Sequence, residues 1–205
     1  MGAGSAYTVM SEDRLAQQVA FLIEADKLKQ VLRRTPLADA SRKENSAEHS
    51  WHLILAAMVL LEHAAHDVNL PRVLEMLAVH DLVEIDAGDT FAYDAQDLVT
   101  KADRERAAAE RMFGLLPPEQ GSRLRALWEE FEVQETADAR FANAMDRLQP
   151  LLLNASAQGG SWRDHDLERD QVLRRMAPIE TALPAAWPLV LKIVDQFCAS
   201  GVLRS

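Results

Sequence analysis

From Leu15 onward the apolar residues return mostly at three- and four-residue steps, and no stretch alternates apolar with polar as a half-buried strand would. That periodicity confines the chain to an all-α architecture. Leu15, Val19, Leu22, Ile23 and Val31 predict an amphipathic helix over about residues 11–33, with Asp26 as its one polar intruder. Pro36 and the polar run 38–45 then read as a loop. Asn45 or Ser46 can cap a second helix, which runs through Trp51, Leu55, Met58 and Leu61 with Glu48 at the positive end of its dipole.

Pro71 suits the first turn of a third helix, which carries Val73, Leu74, Leu77 and His80 toward Asp86-Ala87-Gly88 and a long acidic loop. An alanine- and charge-rich helix through Arg104 and Met112 ends at Gly114 and Pro117-Pro118. Leu124, Leu127, Trp128 and Phe131 mark a fifth helix, and Thr136 caps a sixth with Phe141, Met145, Leu148 and Leu152 on its apolar face. Two further helices follow Gly159-Gly160, the last closed by Gly201. The expectation is one domain over residues 1–205, about eight helices, with the motifs between about residues 15 and 155 and helices 160–201 packed on that core.

Ten net negative charges argue against a large face for nucleic-acid polymers and leave a small ligand as the expected partner. Cys198 is the only cysteine, so no intrachain disulfide or cysteine-rich zinc site can form, which suits a reducing cytoplasm. Neither an export signal nor an apolar run of spanning length is visible, and no membrane partner is expected.

The chemistry concentrates in Val79-His80-Asp81-Leu82-Val83-Glu84-Ile85-Asp86-Ala87-Gly88-Asp89. His49 near the start of the second helix, His80-Asp81 near the end of the third and Asp146 in the sixth offer two imidazoles and two carboxylates to one divalent ion. Individually each has a plainer reading, since a lone histidine on an apolar helix is usually packed core and an aspartate beside Arg147 is usually a solvated charge. His52 fits a supporting role behind His49, His63 and His66 read as surface, Arg42 and Lys43 as a solvated pair, and Trp128 and Phe131 as core.

A histidine, a His-Asp pair and a distant aspartate in that order resemble the HD-domain metal-dependent phosphohydrolases. Arg34-Thr35-Pro36-Leu37, the run Glu44 to Ser50, and His80-Asp81-Leu82-Val83-Glu84 through Gly88-Asp89 resemble its 5′-deoxynucleotidase branch. The resemblance implies His49, His80, Asp81 and Asp146 as metal ligands, Arg34 as a phosphate-binding arginine, and Glu84 and Asp89 as acidic residues needed for turnover. It also implies one divalent ion (Mn, Co, Fe, Ni or Zn), a nucleoside 5′-monophosphate substrate and a homodimer. Where the bacterial deoxynucleotidases carry tryptophan after the arginine, this chain has Thr35, so weak discrimination between deoxyribose and ribose is expected.

A metal ion would lower the pKa of water and neutralise the phosphoryl group, and an arginine adds a bidentate grip on its oxygens. Glu84, four residues after His80, would face the same way on a continuing helix and orient the attacking water, while Asp89 would protonate the leaving oxygen or contact the sugar. Two other readings belong to different classes. A two-metal phosphodiesterase or di-iron oxygenase of this fold needs further histidines, and none lies between His80 and Asp146. A non-catalytic nucleotide sensor would not need Glu84 and Asp89 beside an intact ligand set.

Overall fold

The computed structural model describes the backbone of residues 4–89 and 95–204, and side chains over 13–89 and 101–204. Nine helical segments lie among them: α1 (Gly4–Ala25), α2 (Ser46–Leu60), α3 (Leu70–Val79), α4 (Glu84–Ala87), α5 (Ala95–Phe113), α6 (Pro118–Val133), α7 (Ala137–Ser156), α8 (Arg169–Ala182) and α9 (Trp187–Ala199). Because α4 is a single turn, eight helices carry the all-α fold that the periodicity predicts. Part of the acidic loop expected after Gly88 lies outside the described residues.

The caps fall where side-chain chemistry places them. Asn45 Oδ1 accepts from Glu48 N–H (2.9 Å) while Glu48 Oε2 accepts from Asn45 N–H (3.3 Å), a reciprocal box that fixes the start of α2 one turn before His49. Asn69 caps α3, with Pro71 in its first turn. Thr136 Oγ1 accepts from Ala139 N–H (3.1 Å) and starts α7.

The first helix ends earlier than the sequence suggests. After Ala25 the backbone tightens into a 3-10 turn (Asp26–Gln30) that buries Leu28, then extends as β1 (Leu32–Pro36). β1 pairs antiparallel with β2 (Lys43–Asn45), Leu32 opposite Asn45 and Pro36 opposite Lys43. Leu32 and Arg34 are exposed while Thr35 is buried and Arg33 half-buried. This two-residue alternation over five positions is too short to register against the helical period around it.

A second departure concerns which way the apolar stripes face. Leu15, Val19, Leu22 and Ile23 do lie on one face of α1, but that face is open to solvent, and Phe21 is the helix's buried anchor. The same holds for Trp51, Leu55 and Met58 on α2, where Leu53 and Ala57 face inward instead.

The core is one contiguous cluster running from Phe21 to Leu203. α7 lies at its centre, packed against α2, α3, α6 and α8, with α9 against α8. Phe141, Met145 and Leu151 on α7 are almost wholly buried, which presents the polar side of the helix, with Asp146 and Gln149, toward α2. No described helix is long and apolar enough to cross a membrane.

Candidate metal and phosphate site

α3 stops at Val79, and the chain reaches α4 by three-residue turns, Leu82 N–H to Val79 O and Glu84 N–H to Asp81 O (2.9 Å). Glu84 is therefore not on a continuation of α3, yet the tighter turns still bring it to the cleft that His80 lines. Gly88, at φ 76°, closes α4 with its N–H on Glu84 O and turns Asp89 back to the same cleft. Arg34, Thr35, Asp81 and Asp146 line it too, while His49 lies fully buried beneath.

Both imidazoles are held in one tautomer by what lies behind them. His80 Nδ1 donates to Leu77 O (3.0 Å), so the lone pair is on Nε2, which is buried and has no hydrogen-bond partner. His49 Nδ1 donates to Gln149 Oε1 (3.0 Å), leaving Nε2 to meet Asp146 Oδ1 at 2.9 Å. Gln149 Nε2 in turn donates to Glu44 Oε1 (2.6 Å) and meets His52 Nδ1 (3.1 Å). This is the supporting place that the spacing gave His52. One ligand atom from each of His49, His80 and Asp81 lies within 4.8 Å of the others, and Asp146 joins through His49.

The charges fit a cation. Burial alone would lower the pKa of His49, and Arg33 adds to that, yet Asp146, Glu44 and Asp81 reverse it and raise it to about 9. Burial alone would raise that of Asp146, but Arg147 and His49 hold it well below the usual carboxylate range. A site that draws a proton onto a wholly buried imidazole would equally draw a divalent ion, whose binding releases that proton. The orphaned Nε2 of His80 beside Asp81 is the donor such an ion would satisfy.

Four carboxyls that line the cleft, Glu84, Asp89, Glu105 and Glu132, are pushed the other way. Burial, reinforced by the charge of Asp81, raises Glu84 well above its ordinary value, and Ser46 Oγ donates to its Oε2 (2.6 Å). Burial also raises Asp89, against the pull of Arg33. Phe131 packs its ring 4.9 Å from that of His80, and Trp128 is buried beside it in the core, as expected. His63 and His66 are exposed, and Arg42 pairs with Glu48 at the surface.

Arg33, a half-buried arginine of the cluster, is a residue that the sequence reading passed over. Burial works against its charge, but Asp81, Glu84, Asp89 and Asp146 outweigh it and keep the guanidinium ionised. Its Nη1 donates to Asp81 Oδ2 (3.0 Å), and its buried Nε has no hydrogen-bond partner. Arg34 lies on the outer side of β1 with its side chain exposed at the rim, while its backbone N–H donates to Asp89. The period of two was the available signal, since Arg33 and Thr35 share the inner face. Glu44 and Gln149 were also missed, although Gln149 lies three residues after Asp146 and so on the same side of α7.

Residues 25–187 match the model of the HD domain. The chain is an HD-domain protein. It is 28% identical over 153 residues to the Bos taurus protein named 5′-deoxynucleotidase HDDC2, covering 74% of this chain and 73% of that one. The Homo sapiens protein of that name is 30% identical over 114 residues, 56% of this chain, which spans about half the relative's length (54%). A crystal structure from Magnetospirillum magnetotacticum MS-1, titled a predicted metal-dependent phosphohydrolase, superposes with a TM-score of 0.90 at 49% identity, covering 95% of this chain and 98% of that one. His49, His80-Asp81 and Asp146, which the fold gathers from α2, the end of α3 and α7, all lie within the matched residues.

Proposed function

We propose that this HD-domain chain is a metal-dependent phosphomonoesterase that removes the 5′-phosphate of ribo- and deoxyribonucleoside monophosphates. The observation that carries the reading is the buried, unpartnered Nε2 of His80, set against Asp81 and His49 in a cleft that also holds an ionised arginine and four carboxyls of raised pKa. The names of the similar proteins support the same chemistry.

In this reading His49, His80, Asp81 and Asp146 hold one divalent ion (Mn, Co, Fe, Ni or Zn), and the whole chain, residues 1–205, works as one HD domain. The ion supplies positive charge that lowers the pKa of a nearby water and neutralises the phosphoryl group. Arg33 offers its free donors to the nonbridging oxygens, and Arg34 reaches the substrate from the rim. Glu84, oriented by Ser46, would in its ionised form take the proton of the attacking water. Asp89 returns a proton to the leaving 5′-oxygen, and Thr35 borders the sugar. The cleft sets Asp81, Glu84, Asp89, Glu105, Glu132 and Asp146 against Arg33, Arg34, Lys101, Arg147 and Arg175, and in this reading one ion with Arg33 grips a single terminal phosphate.

Metal-stripped protein is screened against AMP and dAMP while each metal is restored singly. Phosphate release with about one ion bound per chain is expected. Release with no metal present, or no release with any of the five, would overturn the reading.

We also infer that the partner is a second copy of this chain. The stripes Leu15, Val19, Leu22, Ile23 on α1 and Trp51, Leu55, Met58, Val59 on α2 are both exposed and both spaced i, i+4, i+7, i+8. Each stripe leaves four large apolar side chains open to solvent in a row, more than singly scattered surface residues would present. We propose the cytoplasm as its compartment, a reducing setting that suits a chain with one cysteine and a nucleotide substrate.

A further inference from the structure

One buried carboxylate beside the site has no role in the proposed chemistry. Glu44, only 2% exposed, is the middle residue of β2 and faces inward, and it is not among the residues that line the cleft. Leu32 pairs with Asn45 across the two strands, so Arg33 and Glu44, the next residue inward on each, are brought together before the register slips toward Pro36 and Lys43. Asn45 then caps α2, which sets the same carboxylate just ahead of the turn that carries His49.

The two oxygens of Glu44 serve different halves of the site. Its Oε1 accepts from Gln149 Nε2 (2.6 Å), the amide whose own oxygen accepts from His49 Nδ1. Its Oε2 has no hydrogen-bond partner and stands 3.4 Å from His49 Nδ1 and 3.8 Å from Arg33 Nε. Arg33 Nε is likewise buried and without a hydrogen-bond partner. A buried donor and a buried acceptor of opposite charge, both unpaired and just past hydrogen-bond length, are satisfied together by a small side-chain shift.

We infer that Glu44 is a positioning residue for phosphate binding, which anchors the Nε edge of Arg33 while it holds His49 through Gln149. The other hold on Arg33 is Asp81, whose Oδ2 accepts from Nη1 (3.0 Å), and Asp81 is itself a candidate metal ligand. Where that carboxylate serves an ion, its hold on the guanidinium weakens, and an anchor that ligates nothing is required. Glu44 supplies one, since the group of candidate ligand atoms on His49, His80 and Asp81 leaves it out. With Nε held, the planar fork keeps a fixed orientation in which its Nη donors meet a pair of phosphate oxygens. The inference rests on the phosphomonoesterase reading, in which Arg33 grips the phosphate.

The test is titration calorimetry of inorganic phosphate into the full chain at saturating Mn, so that neither turnover nor a change in metal affinity enters the readout. Deleting a negative charge near an anion site favours the anion by Coulomb's law alone, so a Glu44 without this role gives Glu44→Gln a tighter or unchanged phosphate affinity. Loss of the anchor acts in the opposite sense, and Glu44→Gln should weaken phosphate binding at least about tenfold. In an Arg33→Ala protein the same substitution should cost less than about twofold, because no guanidinium is left to anchor. Glu44→Asp, which keeps the charge and withdraws the carboxylate, should also weaken binding, and it carries the test if Glu44→Gln does not fold. Unchanged or tighter binding, or a loss as large in the Arg33→Ala protein, would overturn the inference. An unmodified chain that binds phosphate and hydrolyses no monoester sinks the phosphatase reading alone, whereas one that binds no phosphate sinks this inference.

Discussion

Gln149 Oε1 lies 3.0 Å from His49 Nδ1, on the opposite side of the ring from the Nε2 that meets Asp146. One amide thereby fixes the tautomer of a buried imidazole and, through its own N–H groups, ties that imidazole to Glu44 and His52. Removing it as Gln149→Ala should lower metal affinity about 10–100-fold, because the ring loses its orienting acceptor and the Glu44 carboxylate loses its donor. Metal titration of stripped protein measures this directly. An affinity within twofold of the unmodified chain would show that the packing around His49 orients it without help.

Glu84 and Asp81 differ in what they should do when removed. Asp81→Ala takes away a ligand and should abolish both metal binding and the thermal stabilisation that metal confers. Glu84→Ala should leave both in place and lower kcat by roughly 10²-fold or more, the usual scale for a positioned general base. Since Ser46 Oγ donates to Glu84, Ser46→Ala should reproduce part of that loss. A Glu84→Ala protein that fails to bind metal would move the residue from turnover to ligation.

The two adjacent arginines separate in the same way. Arg33→Ala removes an ionised group from among four carboxylates, so KM should rise and kcat fall together, with some loss of stability from the uncompensated charge. Arg34→Ala, at the exposed rim, should raise KM by no more than about tenfold and leave stability within about 0.5 kcal/mol. The reverse ranking in steady-state kinetics would restore Arg34 as the principal phosphate grip.

That pair also shows how far the sequence could be read. Helix existence, the caps at Asn45 and Thr136, Pro71 in the first turn of α3, and the order His49, His80-Asp81, Asp146 depend on local chemistry or on residue types that a metal requires, so they are legible. Arg33 was hidden by a five-residue strand inside a helical pattern, and the inward turn of Glu84 by a break at Val79 that no proline or glycine marks. Trp162 lines the cleft from the C-terminal fifty residues, on a turn whose Gly160 lies close to Pro36, more than a hundred positions away. Periodicity likewise finds the apolar stripes of α1 and α2 and is silent on whether the same chain or another copy covers them.

The metal-free protein should lose stability as pH rises. His49 is raised from 6.5 to about 9 by its carboxylate neighbours, so the folded chain holds a proton that the unfolded chain gives up. That contribution is fully present below pH 6.5 and is gone by about pH 9. Glu84, also raised, contributes in the same sense from pH 4.5 upward. Stripped protein should therefore show Tm falling by roughly 5 °C or more between pH 6.5 and 9. With metal present the slope should flatten or reverse, because the ion and the His49 proton compete and metal binds more tightly as pH rises. Thermal melts across that range with and without chelator decide it, and parallel slopes in the two series would mean that His49 is not a ligand.

The exposed stripes make the last prediction. Leu22 and Ile23 are about two-thirds exposed on α1 (66% and 67%), and Trp51 and Val59 nearly as much on α2 (64% and 63%), so none of them contributes appreciably to the core of its own chain. If a second copy covers them, Leu22→Glu together with Trp51→Glu should convert a dimer to a monomer while each costs the fold only about 0.5 kcal/mol. Because both stripes lie on helices that pack on the 3-10 turn leading into β1, the monomer should also hold Arg33 less firmly and show a raised KM with metal binding intact. Sedimentation equilibrium at micromolar concentration distinguishes the states. A native chain that sediments as a monomer throughout that range would leave the stripes without a second copy to cover them.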